Sequence, residues 1–146
     1  MTEQDQRALV VAEARTWLAT PYAHRQRLRG AGVDCAQLPL AVYEAAGVLP
    51  PTDVGAYPAQ WHMHRSEERY LGWLEKLARP IDEADVQAGD FMVFRFGRTY
   101  SHGAIIVEPG IVIHALARAR LVTVDDYRQH EELRNRDRLA YTLWGR

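Results

Sequence analysis

One cysteine, one lysine, no hydrophobic run long enough to cross a membrane and no excess of charge of either sign define this chain of 146 residues by what it does without. A lone Cys35 cannot close an internal disulfide, and it excludes every zinc site built on two or more cysteines. Eighteen basic against 19 acidic side chains leave a formal net charge of −1. That balance lacks the clustered basic excess with which nucleic-acid binders neutralise phosphates, so no nucleic-acid partner is expected. Lys76 is the only lysine, and the resulting arginine bias is read as composition rather than function. The first residues are polar, and the apolar stretch at 8–12 is too short for a signal peptide or a membrane span. Synthesis in the cytoplasm is the expectation, where a free thiol is at home. No repeat, low-complexity tract or linker divides the chain, so one domain over 1–146 is expected.

What is present falls into two halves. Leu9, Val10, Ala14, Trp17 and Leu18 recur at helical spacing over 5–19, and Thr20-Pro21 stops that helix. A polar, basic stretch with Gly30 and Gly32 follows, then an apolar helix from Asp34 to Ala46 ending at Gly47. Residues 50–64 read as loop, and a third helix starts after Ser66 and ends before Pro80. From Gly89-Asp90 onward the period changes. Short β-branched and aromatic runs at 91–96, 102–107, 111–115, 121–124 and 139–144 predict strands, with a short exposed helix over 125–136. Helices followed by a meander of strands predict an α+β fold with N-terminal helices packed on a small antiparallel sheet.

Three residues carry the chemical argument. Cys35 stands at a predicted helix start, where unpaired N–H groups and the helix dipole favour an anion and can depress a thiol pKa; the competing account is a small buried hydrophobe. Glu108-Pro109-Gly110 reads as a three-residue hairpin loop. Pairing Val107 with Ile111 puts Ile105 opposite Ile113 and Ala104 opposite His114. His102 shares a face with Ala104, so the two histidines lie on one face, one diagonal apart. A one-residue slip would separate them. A thiol attacking an amide carbonyl needs a base, and the base needs a polar partner that fixes its tautomer. Cys35, His102 and His114 fit those roles as nucleophile, base and orienter. The bland accounts are a solvated strand-end His102 and a tolerated polar His114.

At these residues the sequence resembles the NlpC family of papain-like cell-wall cysteine endopeptidases. The resemblance is carried by Thr20-Pro21-Tyr22, Gly32-Val33-Asp34-Cys35, Gly89-Asp90-Phe91-Met92-Val93-Phe94, Ser101-His102-Gly103-Ala104-Ile105-Ile106-Val107 and Ile113-His114-Ala115, in the family's order. It implies a papain-like core in which the cysteine helix packs on the sheet bearing the histidines. It also implies Cys35 as nucleophile, His102 as general base and His114 as the third polar residue. Tyr22 matches a tyrosine whose hydroxyl would hold the developing oxyanion with the Cys35 N–H, against the alternative of a half-buried aromatic beside Pro21. Asp34 matches a pre-cysteine aspartate, for which an N-cap or loop-tethering role is expected. Two departures are visible: Ala36-Gln37 replace the usual Ser-Gly after the cysteine, and Tyr22-Ala23-His24-Arg25-Gln26 replaces Tyr-x-Trp-Gly-Gly. The Tyr-x-His-x-x-x-x-x-Gly stretch from Tyr22 to Gly30 and Trp61–Ser66 are similar to the branch of the family encoded among phage and prophage tail genes.

The resemblance implies cleavage of amide bonds in peptidoglycan peptides, most often between D-glutamate and a diamino acid. Peptidoglycan stem peptides are then the substrate, and other phage tail proteins are candidate partners acting with it at the wall. Two other readings stay open: a tail assembly protein with a vestigial site, and a papain-like acyltransferase or thioesterase, which would need a long apolar groove beside Cys35. Arg25, Arg27 and Arg29 favour a polar, acidic substrate instead. His24 is a candidate for the substrate cleft, against a solvated loop histidine. His62 and His64 lack a carboxylate or cysteine at ligand spacing, so neither a metal nor a cofactor is expected. His130 is read as part of a solvated charged face.

Overall fold

The computed structural model describes residues 1–53 and 69–145. The chain opens with α1 (Glu3–Arg15), whose start is closed by a reciprocal capping box between Thr2 and Asp5. Arg7, Val10 and Ala14 form its buried stripe, and Trp17 is buried in the turn that follows. The helix stops four residues short of the expected end, and 16–19 continue as turns. Two short strands, β1 (Arg27–Leu28) and β2 (Gly32–Val33), form a ribbon where only a polar turn was expected. Next come α2 (Gln37–Ala45) and α3 (Arg69–Leu77). The expected loop over 50–64 and the start of the third helix after Ser66 lie mostly outside the described residues. No helix among the described residues is long and apolar enough to cross a membrane.

The second half is a six-stranded antiparallel sheet. It comprises β3 (Arg79–Ile81), β4 (Phe91–Phe96), β5 (Thr99–Glu108), β6 (Ile111–Leu116), β7 (Leu121–Asp126) and β8 (Arg138–Thr142), in the order β3-β8-β4-β5-β6-β7. The α+β architecture expected from the sequence is the one observed. Strand β3 was not expected, because Pro80 reads as a helix stop; as an edge-strand residue it sacrifices no central ladder bond.

Alternation along the strands buries both faces of the sheet. Phe91, Val93, Ile105, Ile113 and Ala115 face the helices together with Val10, Leu38 and Val42. Met92, Phe94, Ala104, Ile106 and Val112 face the other way, against Tyr127 and Leu133. The expected exposed helix over 125–136 is therefore corrected: Asp125 and Asp126 finish β7, and the chain then runs as a series of turns over the second face. The two buried residues of those turns, Tyr127 and Leu133, are six apart, and a helix would turn them to different sides; turns can bury both.

Gly89-Asp90 ties α1 to the sheet. Gly89 takes φ +91°, a conformation available to glycine at little cost. Asp90 accepts from Arg7 Nη1 at 2.8 Å, Thr142 Oγ1 at 2.6 Å and the Gln87 N–H at 2.8 Å. Arg7 also lies over the Trp144 ring, 4.1 Å from its centre.

Candidate active site

Cys35 follows Asp34 in the turn that leads into α2, and Asp34 organises that turn. Its Oδ1 accepts from the Ala36 and Gln37 N–H groups at 3.0 and 2.9 Å, and its carbonyl accepts from Leu38 N at 3.0 Å. By hydrogen bonding Asp34 is the N-cap and Cys35 the first helical residue, although regular helix begins at Gln37. The other carboxylate oxygen of Asp34 accepts from the Arg25 N–H at 2.7 Å, pinning the 22–26 loop, with His24 Nδ1 at 3.8 Å. Tyr22 is held in turn by its N–H to the Arg120 carbonyl, 2.8 Å, and by a bridge to Val33.

Pro39 has a consequence for the cysteine backbone. Without an N–H it cannot donate to the Cys35 carbonyl four residues earlier. The Tyr70 hydroxyl on α3 takes that place, at 2.8 Å. Tyr70 fits only because residue 103 is glycine, since a Cβ there would collide with the Tyr70 hydroxyl and the Phe91 ring. Neither Tyr70 nor Gly103 stands out as a site residue in the sequence; the missing donor at Pro39 was the available signal.

The thiol is buried, 6% exposed, among polar neighbours. It donates to the Ser101 carbonyl at 3.4 Å, and the Tyr22 hydroxyl and Gly103 N–H also lie against the sulfur. Burial, followed by the Asp34 carboxylate, nonetheless pushes the thiol pKa from 9.0 up to about 12. The depressed pKa expected at a helix start is thus corrected: desolvation of the anion outweighs the favourable N–H groups.

His102 and His114 meet on one face of the sheet. The register Ile105↔Ile113 is the expected one, with a bulge: Glu108, not Val107, opposes Ile111. The bulge lies on the turn side of the pair and leaves the two histidines' faces unchanged. His102 Nε2 is 2.7 Å from His114 Nδ1. His102 is walled by Phe94 and Phe96, the latter with its ring centre 4.8 Å away. Burial first, then His114, Arg136 and His130, hold the His102 imidazole well below its ordinary 6.5. Behind the pair stands Asp125, whose Oδ2 is 2.8 Å from His114 Nε2, 2.6 Å from Thr123 Oγ1 and 3.9 Å from His130 Nε2. Burial raises the Asp125 pKa, but the hydrogen bonds from His114 and Thr123 outweigh it and the net shift is downward. The sequence reading places Asp125 and His130 on a solvated helix instead. The diagonal rule that paired the two histidines would have found Asp125, because Thr123 opposes His114 across the β6–β7 hairpin.

The structure does not bring every candidate to this place. Arg27 is engaged by Glu44 and Gln37, and Arg29 by Glu13, so two of the three arginines expected to meet an acidic substrate are committed to helix side chains. Gln37 turns outward to Arg27. His62 and His64, and the Trp61–Ser66 stretch, lie outside the described residues. Among the described residues no group of three or more His, Cys, Asp and Glu is disposed to hold a metal ion.

The profile of the NlpC/P60 family matches residues 19–135. No curated protein matches the chain. Among solved structures, the NlpC/p60 domain of the peptidoglycan hydrolase SagA superposes with a TM-score of 0.65 at 23% identity, covering 93% of this chain and 97% of that one. NlpC1 from Trichomonas vaginalis gives 0.71 at 18% identity and covers 100% of this chain, which spans 46% of that protein. RipD from Mycobacterium tuberculosis, described as a non-catalytic NlpC/p60 domain protein adapted to peptidoglycan binding, gives 0.60 at 14% identity, covering 94% and 97%. At these identities the likeness is one of fold.

Proposed function

Because the chain belongs to the NlpC/P60 family, we propose that it is a cysteine endopeptidase hydrolysing amide bonds in the peptides of bacterial peptidoglycan. The observation that carries this reading is the His102–His114 contact of 2.7 Å on the strand whose Ser101 carbonyl receives the Cys35 thiol. In the free protein thiol and imidazole are both neutral. Reaction then requires the thiol to turn from Ser101 to His102 and pass its proton to Nδ1, the ring nitrogen not taken by His114. The thiolate attacks the carbonyl carbon, and the Tyr22 hydroxyl with the Cys35 N–H receives the oxyanion; such a donor is worth about 3 kcal/mol. The C–N bond breaks as His102 returns the proton to the leaving amine, and water, deprotonated by His102, hydrolyses the thioester. The finer reading, a phage- or prophage-tail enzyme, rests on the resemblance of the Tyr22–Gly30 and Trp61–Ser66 sequences to that branch.

The acyl-chain alternative needs a long apolar groove. Among the described residues, an apolar cavity next to Ala36, walled by Pro39, Tyr43, Tyr70, Trp73 and Phe91, has a volume of about 70 Å³, well below the roughly 150 Å³ of a cavity that accepts a single benzene. The deciding experiment measures new amino groups released from purified cell wall. The wild-type chain is expected to release them and Cys35→Ala to release none. Equal release by both overturns the thiol mechanism, and wall binding without release by either points to a binding protein.

A further inference from the structure

We propose that Asp125 is a positioning residue of this site: its carboxylate sets the tautomers of both histidines and so leaves the Nδ1 of His102 unprotonated, able to act as base. The inference rests on the peptidase reading for its functional meaning, and on hydrogen-bond bookkeeping for its substance.

A carboxylate can only accept. Asp125 Oδ2, at 2.8 Å from His114 Nε2, therefore requires the proton of His114 to sit on Nε2. With one proton on the His114 ring, Nδ1 carries a lone pair and can only accept. His102 Nε2, 2.7 Å away, must be the donor, and a neutral His102 is left with its lone pair at Nδ1. The chain of requirements runs one way, from Asp125 to the base. When Nδ1 takes the thiol proton, the new positive charge lies one ring away from a carboxylate.

The surroundings keep Asp125 in that role. Thr123 Oγ1 donates to the same Oδ2 at 2.6 Å. His130 Nδ1 accepts from the Glu132 N–H at 3.0 Å, which leaves the His130 proton on Nε2, 3.9 Å from that oxygen. The His114 and His130 rings stand edge to face, 6.0 Å apart. Two donors thus converge on one carboxylate oxygen, with the His130 ring nitrogen beside them, and the net downward shift of its pKa agrees. The turns over 127–136 supply His130, so the segment misread as a solvated helix closes the polar end of the site.

The test uses the full chain and the near-isosteric Asp125→Asn, with Asp125→Ala as a second variant and thermal unfolding to show that both fold. An amide side chain can donate as well as accept and no longer dictates the tautomer. Turnover of a cell-wall peptide is expected to fall by about 10- to 100-fold, the scale on which losing a carboxylate that orients a metal-binding histidine acts, with KM unchanged. Ring ¹⁵N shifts of the wild-type protein are expected to show His114 protonated at Nε2, and Asp125→Asn is expected to populate the Nδ1–H form. Wild-type turnover in both variants, or a wild-type His114 protonated at Nδ1, overturns the proposal. The ring shifts need no substrate. A protein inactive on wall peptides but carrying the Nε2–H tautomer would overturn the peptidase reading and leave the assignment of Asp125 intact.

Discussion

At the scale of the residue, two opposing influences act on Cys35 and their sizes decide its state. A helix N-terminus favours an anion by about 1–2 kcal/mol at most. The rise from 9.0 to about 12 corresponds to about 4 kcal/mol in the opposite sense. The thiol of the free protein is therefore protonated at neutral pH, and His102, held below 6.5, is neutral beside it. Alkylation of Cys35 by iodoacetamide is expected to be slow at pH 7 and to keep rising beyond pH 9. A plateau near neutrality would show instead that a thiolate–imidazolium pair already exists without substrate. The proposed nucleophile could be picked out from residue type and position. Its protonation state could not, because the burial that sets it comes from strand β5, 66 positions away at the Ser101 carbonyl.

At the scale of the element, α2 and the β5–β6 hairpin show what local rules can and cannot deliver. The Asp34 cap follows from sequence, as does the shared face of His102 and His114, because caps and hairpin registers involve residues close along the chain. The start of α2 also carries a defect, the Cys35 carbonyl that Pro39 leaves without a donor, and its repair comes from Tyr70 on α3. Tyr70→Phe leaves that buried carbonyl unpaired and is expected to lower stability by about 1–3 kcal/mol, read as a shift of the denaturant midpoint at unchanged m-value. Because the same carbonyl belongs to the proposed nucleophile, amide hydrolysis is expected to fall as well. A variant as stable and active as wild type would remove Tyr70 from the site. The misjudged helix over 125–136 has the converse cause: its charged residues suit a solvated helix, and only the sheet face beneath rewards burying Tyr127 and Leu133.

At the scale of the molecule, α1 is held to the sheet by a buried ion pair between residues 83 positions apart. Arg7 and Asp90 side chains are 5% and 1% exposed, and Thr142 and the Ala88 carbonyl complete the cluster. Removing one partner of such a pair strands a charge in the interior, so Arg7→Ala is expected to cost about 3–5 kcal/mol in a denaturant titration. A loss within the range of an exposed ion pair, under about 1 kcal/mol, would show that packing alone holds α1. The sequence by itself determined the α+β class and the face shared by two histidines, and it pointed to the proposed nucleophile, since hydrophobic period, capping and hairpin closure act over a few residues. Only the tertiary structure decided the rest. The protonation of Cys35, the hydroxyl that completes its backbone, the commitment of Arg27 and Arg29 to helix carboxylates, and the carboxylate behind His114 depend on which surfaces the packed chain brings together and dries.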